Sequence, residues 1–199
     1  MTGVQTCALP IFGWDPLRDY SYVTLLAVLP SLLMVHPSIP AKNVRELVAL
    51  AKARPGALTY ASTGQGTSPH MMMEMFKSMA GVNMVHVPYK GAAPAMVDLI
   101  AGRTDLGMNS PVFLLPMVRS GKLRAIGITG NHRMASAQDI PTIAESGLPG
   151  FELSGWQGLL VPAATPREIV VQLNAAVQKI LMTPEIKRVL EEEIGRAHV

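Results

Sequence analysis

Between Val23 and Leu181, short aliphatic runs alternate with longer stretches of helical apolar period, and proline or glycine stands at most of the junctions. A helix with one apolar stripe must bury it on a neighbour, and a short aliphatic run between turn residues has the length of a buried strand. Repeated along a chain, that alternation calls for an α/β fold in which helices cover a mostly parallel sheet. Strands are expected at Val23–Ala27, Leu32–Val35, Leu58–Ala61, Val82–Val87, Asp105–Met108, Leu123–Thr129 and Leu153–Val161. Asn43, three residues before Glu46, reads as a capping box opening a helix with the stripe Val44, Leu47, Val48 and Ala51; Arg54-Pro55-Gly56 ends it. Further helices are expected over Ser68–Met79 (closed by Gly81), Pro94–Ala101, Pro111–Arg119, Ile140–Gly147, Pro166–Leu181 and Pro184–Glu192.

Composition removes several function classes. With 49% hydrophobic and 16% charged residues the chain is too apolar for disorder and too sparsely charged for a coiled coil. Its 17 Lys and Arg form no basic run and the net charge is only +3, so no nucleic-acid partner is expected. The longest apolar stretch, Val23–Val35, is broken by Thr24, Pro30 and Ser31 and falls short of the roughly 20 residues that span a bilayer. No membrane insertion is expected. Aromatics are 5% against 13 methionines, so the core must be aliphatic and thioether-filled, and Met71-Met72-Met73 with Met75 reads as packing surface.

The two ends share an unusual relation. Ile194–Val199 (IGRAHV) can be encoded by ATC GGA AGA GCA CAC GTC, whose reverse complement, in a shifted frame, encodes Thr6-Cys7-Ala8-Leu9-Pro10. That relation resembles read-through of a sequencing adapter. Residues 1–11 and 193–199 are therefore expected to be foreign, leaving 12–192 as a fragment truncated at both ends. Cys7 then falls outside the natural sequence, which excludes thiol catalysis and thiolate metal sites.

The strand–loop–helix over Leu58–Met79 carries the best candidate site. Gly64 and Gly66 let backbone N–H groups converge, Thr67 and Ser68 add hydroxyls, and a helix start favours anions. The same pattern equally describes a tight turn with Thr67 as an ordinary cap. No Lys follows either glycine, so the phosphate loop GxxxxGK[ST] is absent, and Pro69 stands where a dinucleotide fingerprint needs its third glycine. Ser62 is not in a nucleophile elbow, and no spacing identifies a partner base. His70 can be a base or a ligand donor, or simply a half-buried helix residue. His36, His86 and His132 lie in separate elements, and no His pair or acidic cluster suggests a metal. No cofactor is expected. Tyr89-Lys90-Gly91 and Asn109-Ser110 also follow expected strands and can face the same crevice, or be plain turn residues.

Several motifs in unbroken order then resemble one family. Tyr60-Ala61-Ser62-x-Gly64-x-Gly66-x-Ser68-x-His70, His86-Val87-Pro88-Tyr89-Lys90-Gly91, Ser120-Gly121-Lys122-Leu123-Arg124-Ala125, Asp139-Ile140-Pro141-Thr142 and Trp156-x-Gly158-Leu159-Leu160-x-Pro162 are similar to the Bug-type receptors of tripartite tricarboxylate transporters. The resemblance implies a two-lobed, periplasmic-binding-protein-like (type 2) fold that closes on a small organic acid. It also implies a periplasmic receptor, not an enzyme, that hands ligand to the transporter's membrane components. It carries ligand-binding roles onto Ser62, Thr63, Gly64, Gly66, Thr67 and His70, and onto Tyr89, Lys90, Gly91, Ala92 and Asn109. Many members have Asp-Asn where this chain has Asn109-Ser110, which bears on ligand charge. The competing expectation is an α/β transferase or hydrolase using the Gly64–Gly66 loop as an oxyanion or phosphate site. An enzyme would need an acid/base or nucleophile constellation that the motifs do not supply.

Overall fold

The structure, a computed structural model, describes Asp15, residues 17–186 and Arg188. The proposed adapter segments therefore lie outside the described residues, as does the end of the helix expected from Pro184. Five strands form one sheet in the order β4–β3–β5–β2–β6. They are β2 (Leu32–Val35), β3 (Thr59–Ser62), β4 (Val85–Pro88), β5 (Leu106–Asn109) and β6 (Arg124–Ile128). The helices are α1 (Val44–Ala53), α2 (Ser68–Ala80), α3 (Ala92–Ile100), α4 (Pro111–Arg119), α5 (Ile143–Ser146) and α6 (Arg167–Leu181). The helix expected over Ile140–Gly147 is thus a single turn.

The sheet is mixed, which corrects the mostly parallel expectation. β3 runs parallel to β4 and β5, but β2 is antiparallel to both β5 and β6. β2 enters from β1 (Tyr20–Leu29), which belongs to a separate sheet, past Pro30 and Ser31, and inserts between β5 and β6 running opposite to both. Its four residues are all essentially inaccessible, and they alternate between two cores. Leu33 and Val35 join Leu47, Phe76, Met73 and Met108 on one face, while Leu32 and Met34 join Leu99, Leu114 and Leu123 on the other. A strand buried on both faces reads as an uninterrupted apolar run, as Leu32–Val35 does. Met72 and Met73 are core, as expected, whereas Met71 is 56% exposed on the far side of α2.

β1 pairs outside this sheet, with β7 (Gly155–Pro162), in a long antiparallel ribbon from Tyr20↔Pro162 to Leu29↔Gly155. α6 lies on the ribbon, where Asn174 Nδ2 donates to the Val23 carbonyl at 2.7 Å and Gln178 Nε2 to Thr24 Oγ1 at 2.8 Å. The junction of ribbon and sheet is pinned by buried bonds. Ser31 N–H donates to Thr129 Oγ1 at 2.8 Å, Thr129 N–H to the Ser31 carbonyl at 2.9 Å, and Leu153 N–H to the Thr129 carbonyl at 3.0 Å.

Candidate ligand site

β4, β3 and β5 lie side by side and point the same way, and each is followed by a short loop and a helix. The N-termini of α3, α2 and α4 therefore gather at one edge of the sheet. None of these three helices has an acidic residue in its first turn, and none has a side-chain cap. α1 and α5 differ on both counts: Asn43 Oδ1 accepts from Glu46 N–H, and Thr142 and Glu145 form a complete capping box. Open N–H groups and an uncompensated positive dipole end make three adjacent anion-favouring positions.

The loop between β3 and α2 is braced from within. Ser62, 2% exposed, has its Oγ 3.2 Å from Gly64 N and 3.1 Å from the Gly64 carbonyl. Thr67 Oγ1 donates to the Gly64 carbonyl at 2.7 Å, and Thr63 Oγ1 donates to Thr67 Oγ1 at 3.1 Å. Gly66 N–H donates to His70 Nδ1 at 3.0 Å. The two glycine amides expected to meet an anion are thus already engaged. The amides without a partner among the described residues are those of Thr63 and Gln65 in the loop and of Ser68 and His70 at the start of α2. Both glycines keep a conformational role, at φ +142° for Gly64 and +77° for Gly66.

The neighbouring loop is laced to this one. Tyr89 N–H donates to the Ser62 carbonyl at 3.0 Å and Gly91 N–H to the Thr63 carbonyl at 3.1 Å. A side chain at Gly64 would press on the Tyr89 carbonyl at 3.4 Å. The Tyr89 hydroxyl turns to its own helix and donates to Asp98 Oδ2 at 2.8 Å; burial, then Asp98, pushes its pKa up. Lys90 is exposed and Ala92, the first residue of α3, is half-buried. Asn109, at the end of β5, accepts Ser110 N–H on Oδ1 at 2.8 Å, which leaves its NH₂ as a donor. Ser62, Thr63 and Asn109 line one small pocket with Met34, Met96 and Met108.

Sequence reasoning missed the group beneath the loop. Tyr60 pairs with His86 across the β3–β4 ladder, and their rings stack at 4.8 Å. His86 stacks in turn on His70 at 4.0 Å and lies 2.6 Å from Ser62 Oγ through Nε2. The Tyr60 hydroxyl donates to Glu74, which Lys77 Nζ also reaches at 2.6 Å. Burial, then the neighbouring His70, holds the His86 pKa below its ordinary value. Burial, then Glu74, drives that of Tyr60 far upward. Burial works against ionisation of Glu74, but the bonds from Lys77 and Tyr60 outweigh it and keep its pKa low. Only the strand register brings His86 to Ser62. The signal was the shared position of Tyr60 and His86 two residues before each strand's end, usable once the two strands are known to pair.

A Ser–His contact is the beginning of a nucleophile–base pair. Here Ser62 is buried, its hydroxyl is shared with both backbone groups of Gly64, and no carboxylate bonds His86 among the described residues. A reactive serine needs access and an oriented base. The contact braces the loop instead.

A helical cover on both faces of a mixed sheet, a ribbon pinned at its edge and donors gathered at one strand end are the architecture of a periplasmic-binding-protein fold. The profile of the tripartite tricarboxylate transporter family receptors matches residues 3–195. The chain belongs to that family, whose members are periplasmic binding proteins. It is 38% identical over 176 residues to a Pseudomonas sp. (strain P51) protein described as the UPF0065 protein in the tcbD-tcbE intergenic region, covering 88% of this chain and 52% of that one. Among solved structures it superposes on R. palustris Rpa4515 with adipate at TM-score 0.84 and 35% identity, covering 93% of this chain and 62% of the other. MatC (Rpa3494) from Rhodopseudomonas palustris with bound malate follows at TM-score 0.79 and 31% identity, covering 93% and 64%. The chain thus spans about half the length of the curated Pseudomonas relative and under two thirds of the two solved structures. No helix among the described residues is long and apolar enough to cross a membrane.

Proposed function

We propose that this chain is the carboxylate-gripping part of an extracytoplasmic solute receptor that delivers a small organic acid to the membrane components of a tripartite tricarboxylate-type transporter. The observation that carries the reading is the convergence of three uncapped, acid-free helix N-termini on one sheet edge. One carboxylate sits over the amides of Ser68 and His70, with the Thr63 and Thr67 hydroxyls beside it. Gly64 and Gly66 shape that loop and Ser62 anchors it. The β4–α3 turn adds the Ala92 amide and the Lys90 cation, with Tyr89 and Gly91 tying the turn to the Ser62 and Thr63 carbonyls, and the Asn109 amide closes the floor. Such a site holds its ligand through preformed donors, and the Ser62–His86 contact beneath it is buried and bonded within the loop, which supports binding without turnover. The adipate and malate bound by the two structural relatives support a dicarboxylate of that size.

Calorimetry with adipate and malate, against their dimethyl esters, tests it. Binding of an acid and none of its ester is the expected result. Silence toward a panel of mono-, di- and tricarboxylates by the receptor containing this segment would contradict it.

A further inference from the structure

The stack under the loop has a property that ligand binding alone does not require. A backbone N–H can donate only to an unprotonated ring nitrogen, so the Gly66 bond fixes His70 as a neutral imidazole with its proton on Nε2. That ring lies nearly parallel to His86 at 4.0 Å, with 10° between the planes, and His86 stacks on Tyr60 at 4.8 Å and 15°. His86 is thus the middle layer: it holds Ser62 Oγ at one end of the loop and supports the ring that holds Gly66 at the other. The titratable groups facing the pair are Tyr60 from β3 and Glu74 and Lys77 from α2. Glu74, bonded by Lys77 and Tyr60, favours a charge on either imidazole, while burial, the other imidazole and Lys77 oppose one on His86. Protonating His70 removes the acceptor for Gly66 and sets a cation against a partly buried ring.

We propose that the Tyr60–His86–His70 stack is the positioning element of the Ser62–Thr67 loop, and that it holds the loop only while His70 is uncharged, so mild acid frees the loop and with it a bound carboxylate. The release of ligand rests on the receptor reading above; the release of the loop does not. Burial disfavours the charged form of His86, in keeping with a stack built for neutral rings.

NMR of the chain without any carboxylate tests the loop by itself. On mild acidification the Gly66 amide proton is expected to shift in step with protonation of the His70 ring, and its exchange protection to fall about tenfold. His70→Asn, whose Oδ1 stands where Nδ1 does and does not titrate, keeps the bond before and after acidification; His70→Ala lacks it throughout. His86→Ala, which removes the middle ring, loosens Gly66 at every pH, and His86→Phe restores the protection. A Gly66 amide indifferent to the His70 titration, or a His70→Asn chain that loosens in acid as the wild type does, would overturn the proposal. Adipate affinity, read separately by calorimetry, is expected to weaken about tenfold over the same range and to stay level in His70→Asn. Failure of adipate to bind at any pH counts against the receptor reading, while the Gly66 amide still decides the proposal about the loop.

Discussion

Among the described residues, five helices begin in two ways, and the division follows their position. α1 and α5, away from the donor edge, spend side chains on their own first turns: Asn43 and Glu46 at one, Thr142 and Glu145 at the other. α2, α3 and α4, which start at the ends of β3, β4 and β5, have no side-chain cap and no acid there. A cap contributes about 1 kcal/mol and an acid near the N-terminus a further ~0.3–1 kcal/mol. The molecule forgoes that stabilisation at three neighbouring helices. α6 is intermediate, with Glu168 in its first turn but no side-chain cap. A helix end that satisfies itself stabilises the fold; one left open keeps its donors for something else.

The sharpest way to break the contrast is to close an open end. Ser68→Asp puts a carboxylate at the first position of α2, where it competes with a ligand for the same dipole and amides. Dicarboxylate affinity should fall about a hundredfold, roughly 2.7 kcal/mol, while the melting temperature rises slightly. Lost affinity together with lost stability would mean that the residue was structural. Asn109→Asp comes next, because it adds charge beside the open ends without touching a helix start. The ratio of dicarboxylate to amino-acid affinity should drop about tenfold in calorimetry, since a hydrogen bond to a charged group contributes ~1.5–3 kcal/mol. An unchanged ratio would remove Asn109 from charge selection.

The converse change opens a closed end. Thr142→Ala removes the hydroxyl that accepts the Glu145 N–H, while the bond from the backbone N–H of residue 142 to Glu145 stays, and should cost about 1 kcal/mol in denaturant unfolding with carboxylate affinity unaltered. A change in affinity would show that the two regions are not independent. Acid separates the regions by window, with the smallest effect. His86 is held below the ordinary histidine value of 6.5, so the unfolded chain binds its proton first, and stability declines as pH falls from about 6.5 toward the lower folded value. Glu145 is held below 4.5, first by the Thr142 backbone bond and then by Arg133, so its contribution is present above that value and fades as pH falls below it. A melting-temperature profile should bend in the histidine window first, and in His86→Phe that bend should shrink while the acidic bend is unchanged.

Much of this arrangement was readable from local pattern. α4 keeps the Pro111–Arg119 bounds expected from its opening proline, Gly81 closes α2 in the left-handed conformation at φ +61°, and the Asn43–Glu46 pair caps α1. These features depend on neighbours a few residues away. The direction of β2 did not show, because four aliphatics buried on both faces look alike in a parallel or antiparallel neighbourhood. The Ser62–His86 contact did not show either, since it joins residues 24 apart through a strand register. The loop itself was placed correctly, but its donors were displaced by a residue or two. Gly64 and Gly66 serve as conformational joints whose amides Ser62 and His70 occupy, and the open N–H groups belong to the helix that follows.

Whether open helix starts are the ligand's grip is decided most directly at the amides. In a ¹H–¹⁵N titration with adipate, the account predicts downfield amide-proton shifts at Ser68, His70 and Ala92, saturating together, with the first-turn amides of α1 and α5 unmoved. Adipate that binds while those three amides stay in place, or that shifts Arg45 and Glu145 instead, would contradict it.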